Sequence, residues 1–225
     1  MKTFAIIPSG GSGTRTSFSI PKQYVEFEGK ELIAYTLEIF QKCDMIDEIV
    51  VAAQPDFFKL LDEIKKRFSI TKLKHVIEGG SERQLSVQNA LRQIEADDND
   101  LIAVHDAARP LLPQKVLSDA INSAKIFDSV VVAISAKDTL IKGNEIVDGY
   151  IDRKEIYYAQ TPQVFRYKIL NEAMKKAVEN NFIGTDESML VKMASYNVRI
   201  VEGSSLNFKV TTDEDIELFG KLCKQ

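Results

Sequence analysis

Short runs of apolar, largely β-branched residues recur along the chain, at Phe4 to Pro8, Ile49 to Ala53, His75 to Ile77, Leu101 to Val104 and Val130 to Ile134. Between them the apolar positions change to helical spacing: Ile33, Leu37 and Phe40 fall on one helical face, as do Phe57, Leu61 and Ile64, and Val116, Ala120 and Ala124. Strands alternating with helices predict an α/β fold whose twisted sheet is mainly parallel and flanked by helices. No internal repeat, low-complexity tract or flexible linker breaks the pattern, and 225 residues suit one well-buried domain spanning residues 1–225.

Two stretches depart from the alternation. From Asp138 to Arg153 the chain reads as two short strands around a Gly143-Asn144 turn, a hairpin arm with too few apolar residues for a core of its own. It must lie over its own domain or reach a partner chain. Near the other end, Asn207-Phe208-Lys209-Val210-Thr211 reads as a strand, and Thr212 reads as the cap of a helix whose first turn carries Asp213, Glu214 and Asp215 and whose end carries Lys221 and Lys224.

Charge and composition narrow the function. The formal net charge is -4 and no basic stripe or basic amphipathic helix stands out, which argues against a general nucleic-acid or membrane-surface binder; any anion must be held by locally placed cations. No apolar stretch approaches the ~20 residues of a membrane span and no secretory leader is evident, so a cytoplasmic location is expected. Cys43 and Cys223 are the two cysteines, far apart in the chain, and read as reduced thiols rather than a disulfide, zinc site or nucleophile.

The first strand runs directly into Ser9-Gly10-Gly11-Ser12-Gly13-Thr14-Arg15, and Pro21-Lys22-Gln23 adds a second cation. Glycines so closely spaced allow positive φ and close approach of a bulky anion, so that backbone N–H groups can meet phosphate oxygens, while Arg15 and Lys22 add full charges. No Walker A string occurs, and Thr16 stands where the dinucleotide fingerprint needs glycine, so this is a polyphosphate loop of another kind. His105-Asp106-Ala107-Ala108-Arg109-Pro110 follows the strand Leu101 to Val104, at the end where open α/β sheets place ligands. A lone Asp beside a phosphate loop suffices for a divalent cation, although a helix cap or an ion pair with Arg109 would use the same residue; His105 reads as a packed, hydrogen-bonded side chain rather than a general base. Gly79-Gly80-Ser81-Glu82-Arg83-Gln84-Leu85-Ser86 enters a helix with backbone donors, hydroxyls and a cation suited to a base and ribose, or else as a plain glycine turn.

Taken in register, these motifs, with Asp138-Thr139, Asp152-Arg153, Gln160-Thr161-Pro162-Gln163, Thr185-Asp186 and Asn207-Phe208-Lys209-Val210-Thr211, resemble the 2-C-methyl-D-erythritol 4-phosphate cytidylyltransferase family along essentially the whole chain. The resemblance implies a Rossmann-like nucleotidyltransferase with a dimerising β-arm at 138–153, a homodimer with shared active sites, and CTP and a polyol phosphate as substrates. By the same implication Arg15, Lys22 and Lys209 surround the CTP phosphates as catalytic groups. Ser9, Gly10, Gly11, Gly13, Gly80, Ser81, Arg83, Ser86, Asp106 and Ala107 bind the nucleotide, and Asp106 positions magnesium. Thr139, Arg153, Thr161, Thr185 and Lys209 bind the polyol phosphate, Thr139 and Arg153 from the partner subunit. Ser9-Gly10 stands where the family commonly has Ala-Ala, Thr16 where it has Met, and Ser81 where several members have Asp, which leaves a side-chain role at 81 open. Two other readings compete: ribitol-5-phosphate cytidylyltransferase, a relative with a pentose alditol phosphate substrate, and a catalytically silent nucleotide-binding module.

Overall fold

The structure is a computed structural model that describes residues 1–11 and 20–224. In chain order the described elements are β1 (Thr3–Ser9), β2 (Glu26–Phe27), β3 (Lys30–Glu31), α1 (Leu32–Lys42), β4 (Glu48–Ala53), α2 (Phe58–Arg67), β5 (Leu73–Glu78), α3 (Arg83–Leu91), β6 (Leu101–Val104), α4 (Gln114–Phe127), β7 (Ser129–Ser135), β8 (Leu140–Gly143), β9 (Val147–Ile151), β10 (Tyr157–Arg166), α5 (Tyr167–Glu179), α6 (Glu187–Met193), β11 (Arg199–Glu202) and α7 (Asp213–Leu222). Seven strands form the central sheet in the order β11-β7-β10-β6-β1-β4-β5. All neighbours pair in parallel except β10, which is antiparallel to both β6 and β7. The expected mainly parallel sheet is present, with one reversed strand in its interior.

Alternation along the central strands divides the core between two faces. Ala5 and Ile7 of β1, Ile49 and Val51 of β4, and Leu101 and Ala103 of β6 join α1, α2 and α4 on one face. Phe4 and Ile6, Val50 and Ala52, and Ile102 and Val104 join α3, α5 and α6 on the other. Because the central side chains of these strands are buried one way or the other, their sequence reads as an apolar run. A third cluster packs α7, through Ile216 and Phe219, onto Leu32, Ala108 and Val210. Thr212 caps α7 with a full capping box to Asp215.

Two local expectations change. Residues 207–211 form no strand: among the described residues the only backbone bond from this stretch to the sheet region is Val210 N–H to the Ala108 carbonyl at 2.9 Å, so the alternation of Phe208 and Val210 reflects packing against α7 rather than a ladder. The arm is a real hairpin of β8 and β9, but Asn144, Glu145 and Ile146 separate its strands, and the register shifts at Gly143. Ile141, Ile146, Val147, Tyr150 and Ile151 of the arm are all exposed. Cys43 is buried and Cys223 partly so, and both are free. Among the described residues no helix is long and apolar enough to cross a membrane.

The order of the strands locates a site. From β1 the chain moves to β4 and β5 on one side and then returns to β6 on the other, so β1 and β6 lie side by side with Ile6 opposite Val104. Connections leave in opposite directions at their carboxyl ends and open a crevice there, between Gly10 and Asp106.

Candidate active site

A cleft of about 290 Å³ occupies this crevice, walled by residues 8–11 after β1, Lys22 and Gln23, residues 80–83 and Ser86 at the start of α3, residues 106–108 after β6, and Lys209. Each wall is fixed by side chains behind it. The Gln23 amide donates to the carbonyls of Ser9 at 2.9 Å and Gly11 at 3.0 Å, and the Gln54 amide donates to the Gly10 carbonyl at 3.2 Å. Ser9 donates to the Tyr24 hydroxyl at 2.9 Å; Tyr24 stacks on Phe57, and burial pushes its phenol up to about 12. Neither Gly10 nor Gly11 has a positive φ, and a Cβ on Gly10 would make only an ordinary contact with Ser86 Oγ at 3.4 Å. Gly13 and Arg15 lie outside the described residues.

The opposite wall turns sharply at Gly80. Its N–H donates to Ser86 Oγ at 3.0 Å, the Ser86 hydroxyl donates to the Glu82 carbonyl at 3.1 Å, and an added Cβ would sit 2.3 Å from Leu85 Cβ. Ser81 is exposed on the cleft wall.

Asp106 is the electrostatic centre. Arg83 Nε donates to its Oδ1 at 3.0 Å, Lys209 Nζ meets Oδ2 at 3.0 Å, and Arg109 Nε lies 3.6 Å from Oδ2. Burial opposes ionisation, but the Arg83, Lys209 and Arg109 cations outweigh it and hold this carboxyl well below the usual carboxylate range. Arg83 also reaches back to Glu187, which is fully buried; burial pushes Glu187 up while the Arg83 guanidinium opposes the rise. Three cations around two carboxylates leave the cluster one positive charge in excess, and the cleft walls add one charge of each sign, Lys22 and Glu82. The site is built to receive an anion.

His105 does not face this chemistry. It is fully buried, with Nε2 3.1 Å from the Arg109 carbonyl and Nδ1 3.0 Å from Thr161 Oγ1. A carbonyl only accepts, so Nε2 carries the proton and Nδ1 accepts from Thr161, whose oxygen in turn accepts the Asp106 N–H at 3.0 Å. Burial lowers the imidazole to about 4, so it is neutral at physiological pH. The expectation of a packed, hydrogen-bonded histidine describes this arrangement.

Of the residues singled out from sequence, Ser9, Gly10, Gly11, Lys22, Gly80, Ser81, Arg83, Ser86, Asp106, Ala107 and Lys209 converge on the cleft. Thr139, Arg153, Thr161 and Thr185 do not line it. Thr161 sits behind Asp106 with its hydroxyl proton committed to His105; Thr185 is exposed just before α6; Thr139 and Arg153 are exposed at the base of the arm, where the Arg153 guanidinium donates to the Lys137 carbonyl. Sequence reasoning passed over Gln23, Gln54, Asn207 and Glu187. Buried Asn207 donates to the Thr161 carbonyl at 2.7 Å, and its own carbonyl receives Arg109 Nη1 at 2.7 Å, which places Lys209. No local signal marks such residues, because their partners lie 12 positions away at the nearest, for Gln23, and 104 at the farthest, for Glu187.

Residues 3–222 match the family described as IspD: 2-C-methyl-D-erythritol 4-phosphate cytidylyltransferase. A protein of that name from Syntrophus aciditrophicus is 39% identical over 222 residues, covering 96% of this chain and 94% of its own, and one from Geotalea uraniireducens is 40% identical, covering 97% and 95%. Among solved structures, the 4-diphosphocytidyl-2C-methyl-D-erythritol synthase from Anaerococcus prevotii superposes with a TM-score of 0.87 at 27% identity, covering 100% of this chain and 96% of that one. The 2-C-methyl-D-erythritol 4-phosphate cytidylyltransferase from Francisella tularensis gives 0.82 at 31%, covering 98% and 99%.

Proposed function

Because the chain belongs to the 2-C-methyl-D-erythritol 4-phosphate cytidylyltransferase family, and so transfers the cytidylyl group of CTP to that polyol phosphate in isoprenoid biosynthesis, we propose that the transfer takes place in the cleft between Gly10 and Asp106. The observation that carries this reading is the cationic cluster of Arg83, Arg109 and Lys209 on ionised Asp106, at the strand ends where α/β sheets bind nucleotides. In the proposed step an oxygen of the substrate phosphate attacks the α-phosphorus of CTP, and the bond to the β-phosphate bridging oxygen breaks in line, releasing pyrophosphate. A phosphate dianion needs no deprotonation, in keeping with a neutral and occluded His105. Lys22, Lys209 and Arg15 serve as the cations that stabilise charge on the pentacoordinate phosphorus and the leaving group. Ser9, Gly10, Gly11, Gly13, Gly80, Ser81, Arg83, Ser86 and Ala107 hold base, ribose and phosphates.

Asp106 is the residue that would hold magnesium. It is ionised and lines the cleft, and a single carboxylate suffices where phosphates and waters supply the remaining oxygens. With three cations already around it, the fit is to a metal arriving with the triphosphate. Magnesium, when bound, would neutralise phosphate oxygens and orient them.

We further read the protein as a cytoplasmic homodimer that shares its active sites. The arm exposes Ile141, Ile146, Val147, Tyr150 and Ile151, more apolar surface than an isolated hairpin keeps in water, and a second copy of the chain would cover it. Thr139 and Arg153, at the base of that arm and outside their own cleft, are then available to bind the polyol phosphate in the partner's cleft, opposite its Lys209. The test is complementation in mixed dimers. Lys22→Ala and Arg153→Ala chains are each expected to be nearly inactive, but a mixed dimer has one site with both defects and one with neither. Dissociation and reassociation should restore up to about one quarter of wild-type activity, if half the dimers are mixed. Hetero-dimers that form without recovering activity would place Arg153 in its own subunit's site.

A further inference from the structure

Glu187 has no part in the transfer as described, yet it is a carboxylate wholly removed from water. Its only hydrogen-bonding partner among the described residues is Arg83, and both of its oxygens fall on one nitrogen, Arg83 Nη1, at 2.8 and 2.7 Å. Burying a carboxylate is costly, and a buried ion pair can often be replaced by apolar side chains with no loss of stability, so global stability alone gives a weak reason for it. What the pair does fix is orientation. With Nη1 held on Glu187, the guanidinium turns Nε toward Asp106 Oδ1 at 3.0 Å, while Asp106 Oδ2 stays with Lys209 at 3.0 Å. A guanidinium released from Glu187 could instead present a paired fork to both carboxylate oxygens and compete with Lys209 for Oδ2.

Glu187 is itself firmly placed. Gln84, the neighbour of Arg83, donates to the Phe182 carbonyl at 3.1 Å and accepts the Gly184 N–H at 2.8 Å. Gln163 of β10 donates to Asp186 Oδ2 at 2.9 Å and accepts the Ser188 N–H at 2.8 Å. The connection into α6 is thus tied from two sides, and the position of Glu187 is passed on to Arg83.

We propose that Glu187 is a positioning residue for cytidylyl transfer, acting through Arg83 to keep Asp106 divided between Arg83 and Lys209. This rests on the reading of Asp106 and Lys209 as part of the transferring site. The experiment is a double-mutant cycle of Glu187→Gln and Arg83→Met, read by pyrophosphate release with CTP and 2-C-methyl-D-erythritol 4-phosphate and by urea midpoints. Glu187→Gln should lower kcat about tenfold with KM for CTP within about twofold of wild type, as for supporting residues around other charged sites. The double variant should be no slower than Arg83→Met alone, within about twofold, because Glu187 acts only through that guanidinium. Wild-type kcat in Glu187→Gln, or losses that multiply in the double variant, would overturn the proposal. Should Glu187→Gln fail to fold, Glu187→Asp enters the same cycle with the same two criteria. Asp106→Asn assayed in parallel separates the premises: full activity there removes the site assignment itself, whereas an inactive Asp106→Asn beside a fully active Glu187→Gln removes only the role of Glu187.

Discussion

Replacing Asp106 by Asn keeps the shape of the side chain and removes its charge, and the geometry sets the scale of the response. Arg83 and Lys209 lie 3.0 Å from the carboxylate and Arg109 lies 3.6 Å away. Each contact is a gross attraction of roughly 5 kcal/mol at an effective dielectric near 20, opposed by a desolvation cost of several kcal/mol per ion. None of the three cations is wholly abandoned in the variant. Arg83 keeps Glu187, Arg109 keeps the Asn207 carbonyl, and Lys209 is partly exposed and returns to water. The loss should therefore fall at or slightly below the lower end of the range for breaking a buried pair, about 3 kcal/mol. For a chain of this size that lowers the thermal midpoint by about 10 °C without unfolding the protein at 25 °C. Turnover should fall by about 10² or more, since the carboxylate that would hold magnesium and that orients Arg83 and Lys209 in the cleft is lost. Urea unfolding and pyrophosphate release on the same preparation measure both. An unchanged midpoint would refute the charge cluster, and a lowered midpoint with turnover within twofold of wild type would make Asp106 structural only.

Two further outcomes follow from particular contacts. Gly80→Ala places a Cβ 2.3 Å from Leu85 Cβ, so the turn must move and the Gly80 to Ser86 bond must weaken: about 1–3 kcal/mol of stability should be lost and KM for CTP should rise, whereas Gly11→Ala, with none of the described residues within 4 Å of its Cβ, should leave stability unchanged. Equal behaviour of the two variants would contradict the wall geometry. His105, lowered from 6.5 to about 4 by burial, is neutral in the fold while the unfolded chain is protonated across that window, so stability should decline as pH falls from about 6.5 to 4, by up to about 3 kcal/mol. Urea midpoints over that range should show a shallower slope for His105→Gln than for wild type, and identical slopes would mean that the imidazole titrates normally.

The sheet centre was legible in the sequence because β1, β4 and β6 are buried on both faces and read as unbroken apolar runs. The cleft walls were legible because glycine turns and lone charges follow those runs directly. β10 was not, since Gln160, Thr161 and Gln163 look like loop polarity. They are buried because side chains from distant segments satisfy them: Asn207 meets Gln160, His105 meets Thr161 and Asp186 meets Gln163. β11 is a short, half-exposed edge with Arg199 and Glu202 at its ends, too polar to stand out. Glu187 was invisible as a partner of Arg83 because 104 positions separate them. The direction of the error at 207–211 is also physical: alternation there records contact with α7, which a strand pattern imitates.

Pyrophosphate release measures directly whether this cationic cleft joins CTP to a methylated erythritol phosphate. Purified protein with magnesium would be given CTP, ATP, GTP or UTP, each with 2-C-methyl-D-erythritol 4-phosphate or ribitol 5-phosphate. Release is expected with CTP and 2-C-methyl-D-erythritol 4-phosphate well above every other pair, and it should be lost in Asp106→Asn. Faster release with ribitol 5-phosphate, or none with any pair, would contradict the account.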